Sequence, residues 1–312
     1  MLRRPRVATL LLVVVGAAIS CQAPRTAPTP ASSRNTDGAP PALHNVQRVT
    51  DTLISGGMPQ GDAGFDALRK LGVRTIISVD GATPDVERAR ARSMRYVHVP
   101  VGYDGIRPDA AAILARAARD LPGPIYLHCH HGKHRGPAAC ALIAVMLGQM
   151  STQDGEAFLR RAGTSPDYPG LFASVAAARP ITPAELDAVP PSFPEIAPRP
   201  AFVQAMSMAQ DAYDHLVEIR DAGWAVPPHH PDLVPAAEAA RLESLLRGLQ
   251  DDQETLRRPD GFRHLMAASQ AAAAALETAI VSAAPAAELA ARLSAVGHTC
   301  RDCHVPYRNP AR

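Results

Sequence analysis

The sequence contains few aromatic residues, few cysteines and almost no excess charge. Phe, Trp and Tyr make up only 4% of the 312 residues, which disfavours a large β-sandwich and favours Ala-rich helices. The 32 basic and 30 acidic residues leave a formal net charge of +2, so we expect no nucleic-acid partner held by bulk charge. Five cysteines are too few for a disulfide scaffold in a chain whose length favours two domains.

An uncharged, apolar segment occupies residues 7–20, directly after a cluster of three arginines. It is too short to span a bilayer comfortably and has the length of the apolar part of a signal peptide, predicted over residues 1–21. The segment ends in an Ala-Ile-Ser-Cys tetrapeptide that resembles a bacterial lipobox and implies lipidation of Cys21. The alanine at its first position leaves cleavage without lipid open. We expect export to the periplasm or cell envelope, with a lipid anchor in a membrane.

Proline, in contrast, is abundant, and it clusters in two segments. Residues 22–43 contain five prolines and no apolar periodicity, which predicts an extended tether. Residues 180–200 contain seven prolines, which excludes a long helix or a central strand and predicts a semi-rigid linker. The chain therefore divides into a first module at 44–179 and a second at 201–312, each of domain size.

The first module alternates predicted strands with predicted helices. A strand pair is expected over 46–54, and single strands over 73–79, 96–99 and 124–128. Helices lie between them, one of them opened by Thr83-Pro84 with the proline at the first helical position. This order predicts an α/β fold with a mostly parallel sheet covered by helices on both faces.

A Cys-x5-Arg loop follows the last of these strands. Its five intervening residues can curl so that successive backbone N–H groups point at a phosphate, with the next helix adding its N-terminal dipole. The same field favours a nucleophilic thiolate, and the arginine can bind two phosphoryl oxygens. The predicted nucleophile is Cys129 and the predicted transition-state ligand is Arg135. The phosphate-binding residues between them are His130, His131, Gly132, Lys133 and His134.

The first module resembles the cysteine-dependent dual-specificity and tyrosine phosphatases. The likeness is carried by the Ser-Gly-Gly-Met-Pro opening at 55–59, the strand Gly-Val-Arg-Thr-Ile-Ile-Ser at 72–78, and His-Cys-x5-Arg. It implies attack on a phosphorylated protein or small molecule, a phosphocysteine intermediate, and Asp104 as general acid. Asp109 is the rival, but as the residue after Pro108 it is typical of a helix first turn. A lysine at the place of Lys133 is a feature shared with family members that act on phosphoinositides or inositol phosphates.

Several other interpretations of this loop stay open. The family carries Ser or Thr directly after the arginine to help the cysteine leave, whereas this chain has Gly136. Three roles are open for the loop histidines: they make the loop cationic, they are simply solvated, or they hold a metal ion. A sulfurtransferase related to rhodanese would use Cys129 as a persulfide. Cys140 is either a resolving partner for Cys129 or a small core residue.

Apolar residues at helical spacing predict four amphipathic helices in the second module, which indicates an all-α four-helix bundle. The predicted helices lie at 201–221, 236–249 and 262–281 and from Pro285 onward. The last helix ends in Cys300-x-x-Cys303-His304, the attachment pattern of c-type haem. Two thiols one turn apart can form thioethers with the haem vinyl groups, and the histidine reaches the iron. A redox dithiol and half of a zinc site are the alternatives.

This terminal segment, with Gly297-His298-Thr299 before the motif and Tyr307-Arg308 after it, resembles the cytochrome c-prime family. The resemblance implies one covalent haem c with His304 as proximal ligand. It also implies a sixth ligand, when there is one, from the first helix, with Met206 or Met208 as candidates. If neither binds, the iron is open to small gases.

Together these patterns predict an exported phosphoester hydrolase fused to a haem domain that supplies redox or ligand input, with a redox partner. The alternative is a haem electron-transfer or gas-binding protein whose first module only binds anions. The residue after the arginine, Gly136, favours the alternative.

Overall fold

The computed structural model describes residues 42–198 and 201–308. The predicted signal peptide, Cys21 and nearly all of the tether at 22–43 lie outside these residues. Among the described helices none combines the length and the apolar character that crossing a bilayer requires.

A five-stranded sheet forms the centre of the first module, in the order β1-β2-β5-β3-β4. Only β1 runs antiparallel, and the other neighbours pair in parallel, as the alternation of strands and helices predicts. The parallel strands therefore all end at one edge of the sheet, called here the carboxyl edge. The strands are β1 Gln47–Arg48, β2 Leu53–Gly57, β3 Thr75–Ser78, β4 Arg95–His98 and β5 Ile125–Cys129.

Helices cover both faces of the sheet because successive strand residues point to opposite sides. Ile76 and Tyr126 pack in one apolar cluster with α1 and α2, whereas Ile77 and Leu127 pack in another with α3 to α6. The helices are α1 Gly61–Lys70, α2 Val86–Arg90, α3 Pro108–Asp120, α4 Arg135–Met146, α5 Thr152–Arg161 and α6 Pro169–Ala176. The predicted start of α2 is wrong: Pro84 precedes the helix, which Asp85 caps by accepting the Arg88 amide.

The proline-rich segment after the first module is bound to it over most of its length. It contains one short helix, α7 Pro183–Ala188, which begins with a capping box between Thr182 and Glu185. The Arg116 guanidinium donates to three carbonyls of this segment, those of Leu186, Asp187 and Val189. The His98 amide donates to the Pro194 carbonyl, and the Ala197 amide donates to the His98 ring. The sequence indicates a spacer, and these contacts make residues 182–197 part of the first module's surface.

Four long helices form the second module, with one short helix between the second and third. The first packs against the second and fourth, and the third packs against the second and fourth, which confirms the predicted four-helix bundle. The last helix is longer than predicted, because it runs through the Cys-x-x-Cys-His motif instead of ending there. The helices are α8 Phe202–Asp221, α9 Pro235–Gln250, α10 Gln253–Arg257, α11 Asp260–Val281 and α12 Ala286–Tyr307.

The two modules pack into one compact unit. Helix α9 lies at the carboxyl edge of the sheet, where Ala236, Ala237 and Ala240 join the apolar cluster that contains Cys129. Farther along α9, a Cβ added to Gly248 would lie 3.7 Å from the carbonyl oxygen of Gly81. The small side chains of α9 therefore let the bundle lie directly over the loops that follow β3 and β5.

Candidate phosphate site and haem site

The Cys-x5-Arg loop joins β5 to α4, with Cys129 as the last strand residue and Arg135 as the first helical one. The backbone N–H groups of residues 130–134 have no hydrogen-bond acceptor within the described part of the chain. Free amides next to a helix N-terminus form a concave anion site. Three of the loop carbonyls accept hydrogen bonds from neighbouring segments. The backbone N–H of Met58 donates to His130 (3.1 Å), the side-chain amide of Asn45 to Gly132 (2.8 Å), and the Thr164 hydroxyl to Lys133 (2.6 Å).

The bend of the loop requires glycine at position 132. Gly132 has a φ of +70°, in the left-handed region that other residues rarely adopt. A Cβ there would also lie 2.3 Å from the backbone nitrogen of Gly57. The loop is therefore closed tightly against the end of β2.

Arg135 is almost completely buried, with 2% of its surface exposed. Its Nη2 group donates to the Asp80 carboxylate at 3.4 Å and to the Ser244 hydroxyl of α9 at 3.3 Å, and its guanidinium lies 4.1 Å from the Tyr103 ring centre. The Nε–H group is buried and has no partner among the described residues. A buried donor without a partner next to free loop amides fits a bound anion, because leaving it unpaired is costly.

Asp80 is a central residue of this site that the sequence analysis missed. Burial by itself would raise the pKa of Asp80, but Arg135 and Arg247 together hold it well below its ordinary value. The carboxylate is therefore ionised and cannot serve as a proton donor. Its place in the sequence, two residues after β3 at the carboxyl edge, is the signal that could have identified it.

The two candidate acids, Asp104 and Asp109, lie in different surroundings. Asp104 is exposed and lines a cavity together with Arg135, whereas Asp109 is not part of that lining. Asp109 lies in the first turn of α3 and forms an ion pair with Arg107, whose hydrogen bond lowers its pKa. The geometry therefore favours Asp104 as the proton donor and gives Asp109 the helix-terminal role expected for it.

Of the roles that the sequence leaves open for the loop histidines, the structure disfavours the cationic one. Burial lowers the pKa of His130 to about 4 and that of His134 to about 3, and the pKa of the more exposed His131 is lowered too. At neutral pH the positive charges of the loop are therefore those of Lys133 and Arg135. A metal site there also lacks support, because the described residues contain no group of three His, Cys, Asp or Glu side chains that could hold an ion.

A cavity of 630 Å³ beside Arg135 is lined by residues of both modules. The loop after β4 forms one wall with Val101, Gly102 and Asp104, and α8 and α9 form the other with residues such as Met208 and Leu245. This volume is in the range of small-molecule sites. Cys129 itself does not line this cavity, and only 3% of its surface is exposed.

Two residues of α4, Gly136 and Cys140, bear on the chemistry that the sequence predicts for Cys129. A Cβ added to Gly136 would lie 3.4 Å from the Cys129 sulfur, so this position is where a hydroxyl would reach the thiol. Cys140 is completely buried in the apolar core, and burial raises the pKa of its thiol well above the ordinary value. Cys140 is therefore placed as a core residue and not as an exposed resolving thiol.

The Cys-x-x-Cys-His motif lies in the last two turns of α12, between two cavities of 440 and 410 Å³. Cys303 lines the first cavity, Cys300 lines the second, and His304 lines both. Both cysteines are free thiols, and burial raises the pKa of each. A flat macrocycle attached to both thiols would extend into both cavities, so the residues present fit a haem.

The same cavities separate the two methionine candidates. Met206 lines both cavities together with His304, whereas Met208 lines the cavity beside Arg135. Residues two apart on a helix face different directions, so only one of them can face the haem site. The structure brings Met206 to the same cavities as His304 and places Met208 in the cavity beside Arg135.

The second module matches a family model described as Cytochrome C', over residues 250–308. No curated protein matches the chain. A DUF442 protein from Shewanella putrefaciens CN-32 has 20% identity and a TM-score of 0.37, covering 43% of this chain and 93% of that one.

Two further solved structures are similar to the first module. A variant of TpbA from P. aeruginosa, in complex with pTyr, has 22% identity and a TM-score of 0.36, covering 48% of this chain and 94% of that one. The core catalytic domain of the PP-IP phosphatase SIW14 from S. cerevisiae has 17% identity and a TM-score of 0.35, covering 38% of this chain and 76% of that one. Because these identities and TM-scores are low, the chemistry of this chain has to follow from its own loop. The chain thus joins an α/β module with a Cys-x5-Arg anion loop to a helical module that matches the Cytochrome C' family model.

Proposed function

We propose that the protein hydrolyses phosphate monoesters through a phosphocysteine intermediate on Cys129. The observation that supports this most strongly is the loop itself. Its amides between residues 130 and 134 lack acceptors among the described residues, and the buried Nε–H of Arg135 is free beside them. Such a cradle binds a phosphoryl group and stabilises the charge that develops on its oxygens during transfer.

In the first step, the Cys129 thiolate attacks phosphorus and the phosphorus–oxygen ester bond breaks. Asp104 gives its proton to the departing oxygen, which leaves as an alcohol. In the second step, water attacks phosphorus, the sulfur–phosphorus bond breaks, and the thiolate returns. Asp104 takes a proton from that water, so the enzyme ends as it began and inorganic phosphate is released. The 630 Å³ cavity beside Asp104 receives the alcohol part of the substrate.

We also propose that the second module carries one covalent haem c on Cys300 and Cys303. His304 would be the proximal ligand and Met206 the candidate sixth ligand, since both line the two cavities at the thiols. Haem in this position supplies reversible electron transfer or binding of a small gas. Apolar contacts from Phe262 and Tyr307 would keep water from the macrocycle.

Export, a lipid anchor at Cys21 and a redox partner belong to the same proposal. They are supported by the N-terminal pattern and by the compartment in which c-type haem is attached. We place the protein in the periplasm or cell envelope, facing phosphorylated substrates there.

The decisive experiment measures phosphate release from a panel of phosphomonoesters by the full-length protein and by Cys129→Ser. We expect loss of at least about 10³-fold in kcat, because the serine hydroxyl is a far weaker nucleophile than a thiolate. Cys140→Ala is the matched control, a second buried cysteine of the same module, and should retain activity. Equal phosphate release by wild type and Cys129→Ser would remove the proposed activity.

One observation favours the second candidate, a haem protein whose loop only binds anions. Gly136 leaves the space beside the Cys129 sulfur without the hydroxyl that the resembling phosphatases carry. In that case wild type would bind inorganic phosphate, measured by calorimetry, and would release none from any ester.

A further inference from the structure

Helix α9 of the haem module reaches the phosphate site with a second arginine. The Arg247 guanidinium donates to the Asp80 carboxylate at 2.8 Å through Nη1 and at 3.3 Å through Nη2. Only 11% of the Arg247 side chain is exposed, and 2% of Asp80. A carboxylate from the first module is therefore held, away from water, by an arginine from the second.

The Asp80 carboxylate contacts two arginines at unequal distances. Its contact with Arg247 is 2.8 Å, whereas its contact with Arg135 is 3.4 Å. The Ser244 hydroxyl lies between them and accepts from Nη2 of both guanidiniums at 3.3 Å. The shorter contacts of Asp80 thus go to the arginine that does not belong to the loop.

The difference between these two contact distances has a direct consequence for anion binding. A buried carboxylate facing only Arg135 would pair with it closely and cancel the charge that the loop offers to a phosphate. With Arg247 present, the carboxylate is neutralised from the other side, and the Nε–H of Arg135 stays free. Glu243 on α9 in turn compensates Arg247, accepting from its Nε at 2.9 Å.

We propose that Arg247 is a positioning residue of the phosphate site, contributed by the haem module, which draws Asp80 away from Arg135 and so keeps Arg135 available for the phosphoryl group. This inference rests on the anion-binding part of the proposed function. The phosphate site is then complete only when the two modules are docked through α9.

The experiment measures the dissociation constant of inorganic phosphate by calorimetry, in the haem-loaded full chain carrying Cys129→Ser, at one fixed ionic strength. Adding Arg247→Met should weaken phosphate binding about tenfold or more, because a partner of a buried charge pair is removed. Adding Asp80→Asn to Arg247→Met should restore the affinity to within about threefold of the starting protein, since the competing carboxylate is gone.

The matched control is Arg292→Met, which removes the same charge from an exposed i,i+4 pair with Glu288 in the same module. It should leave phosphate affinity unchanged. If Arg247→Met does not fold, Arg247→Gln tests the same charge loss while keeping a hydrogen bond to Asp80. Haem absorbance and thermal unfolding identify folded variants.

Three results would overturn the inference. Unchanged phosphate affinity in Arg247→Met would show that Arg135 does not need the second arginine. Tighter binding would show that α9 blocks the loop. A loss that Asp80→Asn fails to restore would show that Arg247 acts through packing alone. Since binding is measured without turnover, a wild type that binds phosphate but hydrolyses no ester would remove the proposed activity and leave this result standing.

Discussion

The two modules build their sites in opposite ways. In the α/β module the site combines the loop after β5 with Asp80 after β3, Asp104 after β4 and the side chains of α9. In the helical module the cysteines and the histidine lie within five consecutive residues of α12, and the rest of the bundle adds cavity walls. A site spread over four segments depends on the tertiary fold at every point, whereas a site within five residues of one helix depends mainly on that helix.

The electrostatics of the two sites differ as well. Charged groups of both signs surround the phosphate site, namely Arg135, Asp80 and Glu243, which are buried, and Arg247, whose side chain is 11% exposed. The haem site is lined mostly by apolar and neutral side chains, and its ionised lining residues are Arg258, Arg301, Arg308 and Glu254. The first site is thus arranged for a polyvalent anion, and the second for a flat, largely apolar group.

The largest expected effect is the loss of covalent haem, which concerns the second module alone. Replacing both Cys300 and Cys303 by alanine should abolish covalent haem, because no thiol remains to bond the vinyl groups. Haem staining of a denaturing gel, after expression with periplasmic haem maturation, measures it. Cys140→Ala retains both attachment thiols and should stain like wild type. A colourless wild type under these conditions would contradict the haem assignment.

A smaller effect tests whether the loop after β4 belongs to the phosphate site. Asp104→Asn should lower kcat about 10²-fold for phenyl phosphate, whose leaving group needs a proton. The loss should be much smaller for p-nitrophenyl phosphate, whose leaving group departs without one. Asp109→Asn changes the same group in the first turn of α3 and should have little effect. Equal losses for both esters would mean that Asp104 does not protonate the leaving group.

The smallest effect concerns the contact between the modules. Glu277 of α11 accepts a hydrogen bond from Tyr168 at 3.2 Å, and burial, followed by the Glu243 charge, raises the pKa of Glu277 from 4.5 to about 7. Between these values the folded state holds a proton that the unfolded state lacks, so stability falls as pH rises from 4.5 to 7. At pH 8 the cost is on the order of 3 kcal/mol.

Glu277→Gln removes this cost because the amide stays neutral. Its Tm at pH 8 should exceed that of wild type by about 5 °C, while the two should nearly coincide at pH 4.5. Thermal unfolding followed by circular dichroism measures both. Glu288→Gln, an exposed glutamate of α12, should show no such pH-dependent gain. A gain of the same size at both pH values would mean that Glu277 is not protonated in the fold.

Much of this architecture could be predicted from the sequence, because local patterns carry it. Alternating strands and helices predict the parallel sheet, and apolar residues at helical spacing predict the bundle. The least reliable features were helix boundaries, such as the start of α2, where Asp85 caps the helix one residue after Pro84. Short helices such as α6, α7 and α10 also escaped, because fewer than three turns leave little periodicity.

The network around Arg135 could not be predicted in the same way. Asp80 lies 55 positions from Arg135, and Arg247 lies 167 positions from Asp80. Such pairings follow from which strands end at the carboxyl edge and which helix packs over it. No local pattern carries that information.

By itself, then, the sequence predicted most of the elements and the candidate reactive residues, because hydrophobic periodicity, Cys-x5-Arg and Cys-x-x-Cys-His are contiguous patterns. Tertiary structure decided the charge of His130 and His134, which burial keeps neutral. It also decided which methionine faces the haem site, since Met206 and Met208 differ only by rotation about α8. Burial and long-range electrostatics depend on neighbours from distant parts of the chain, and only folding brings those neighbours together.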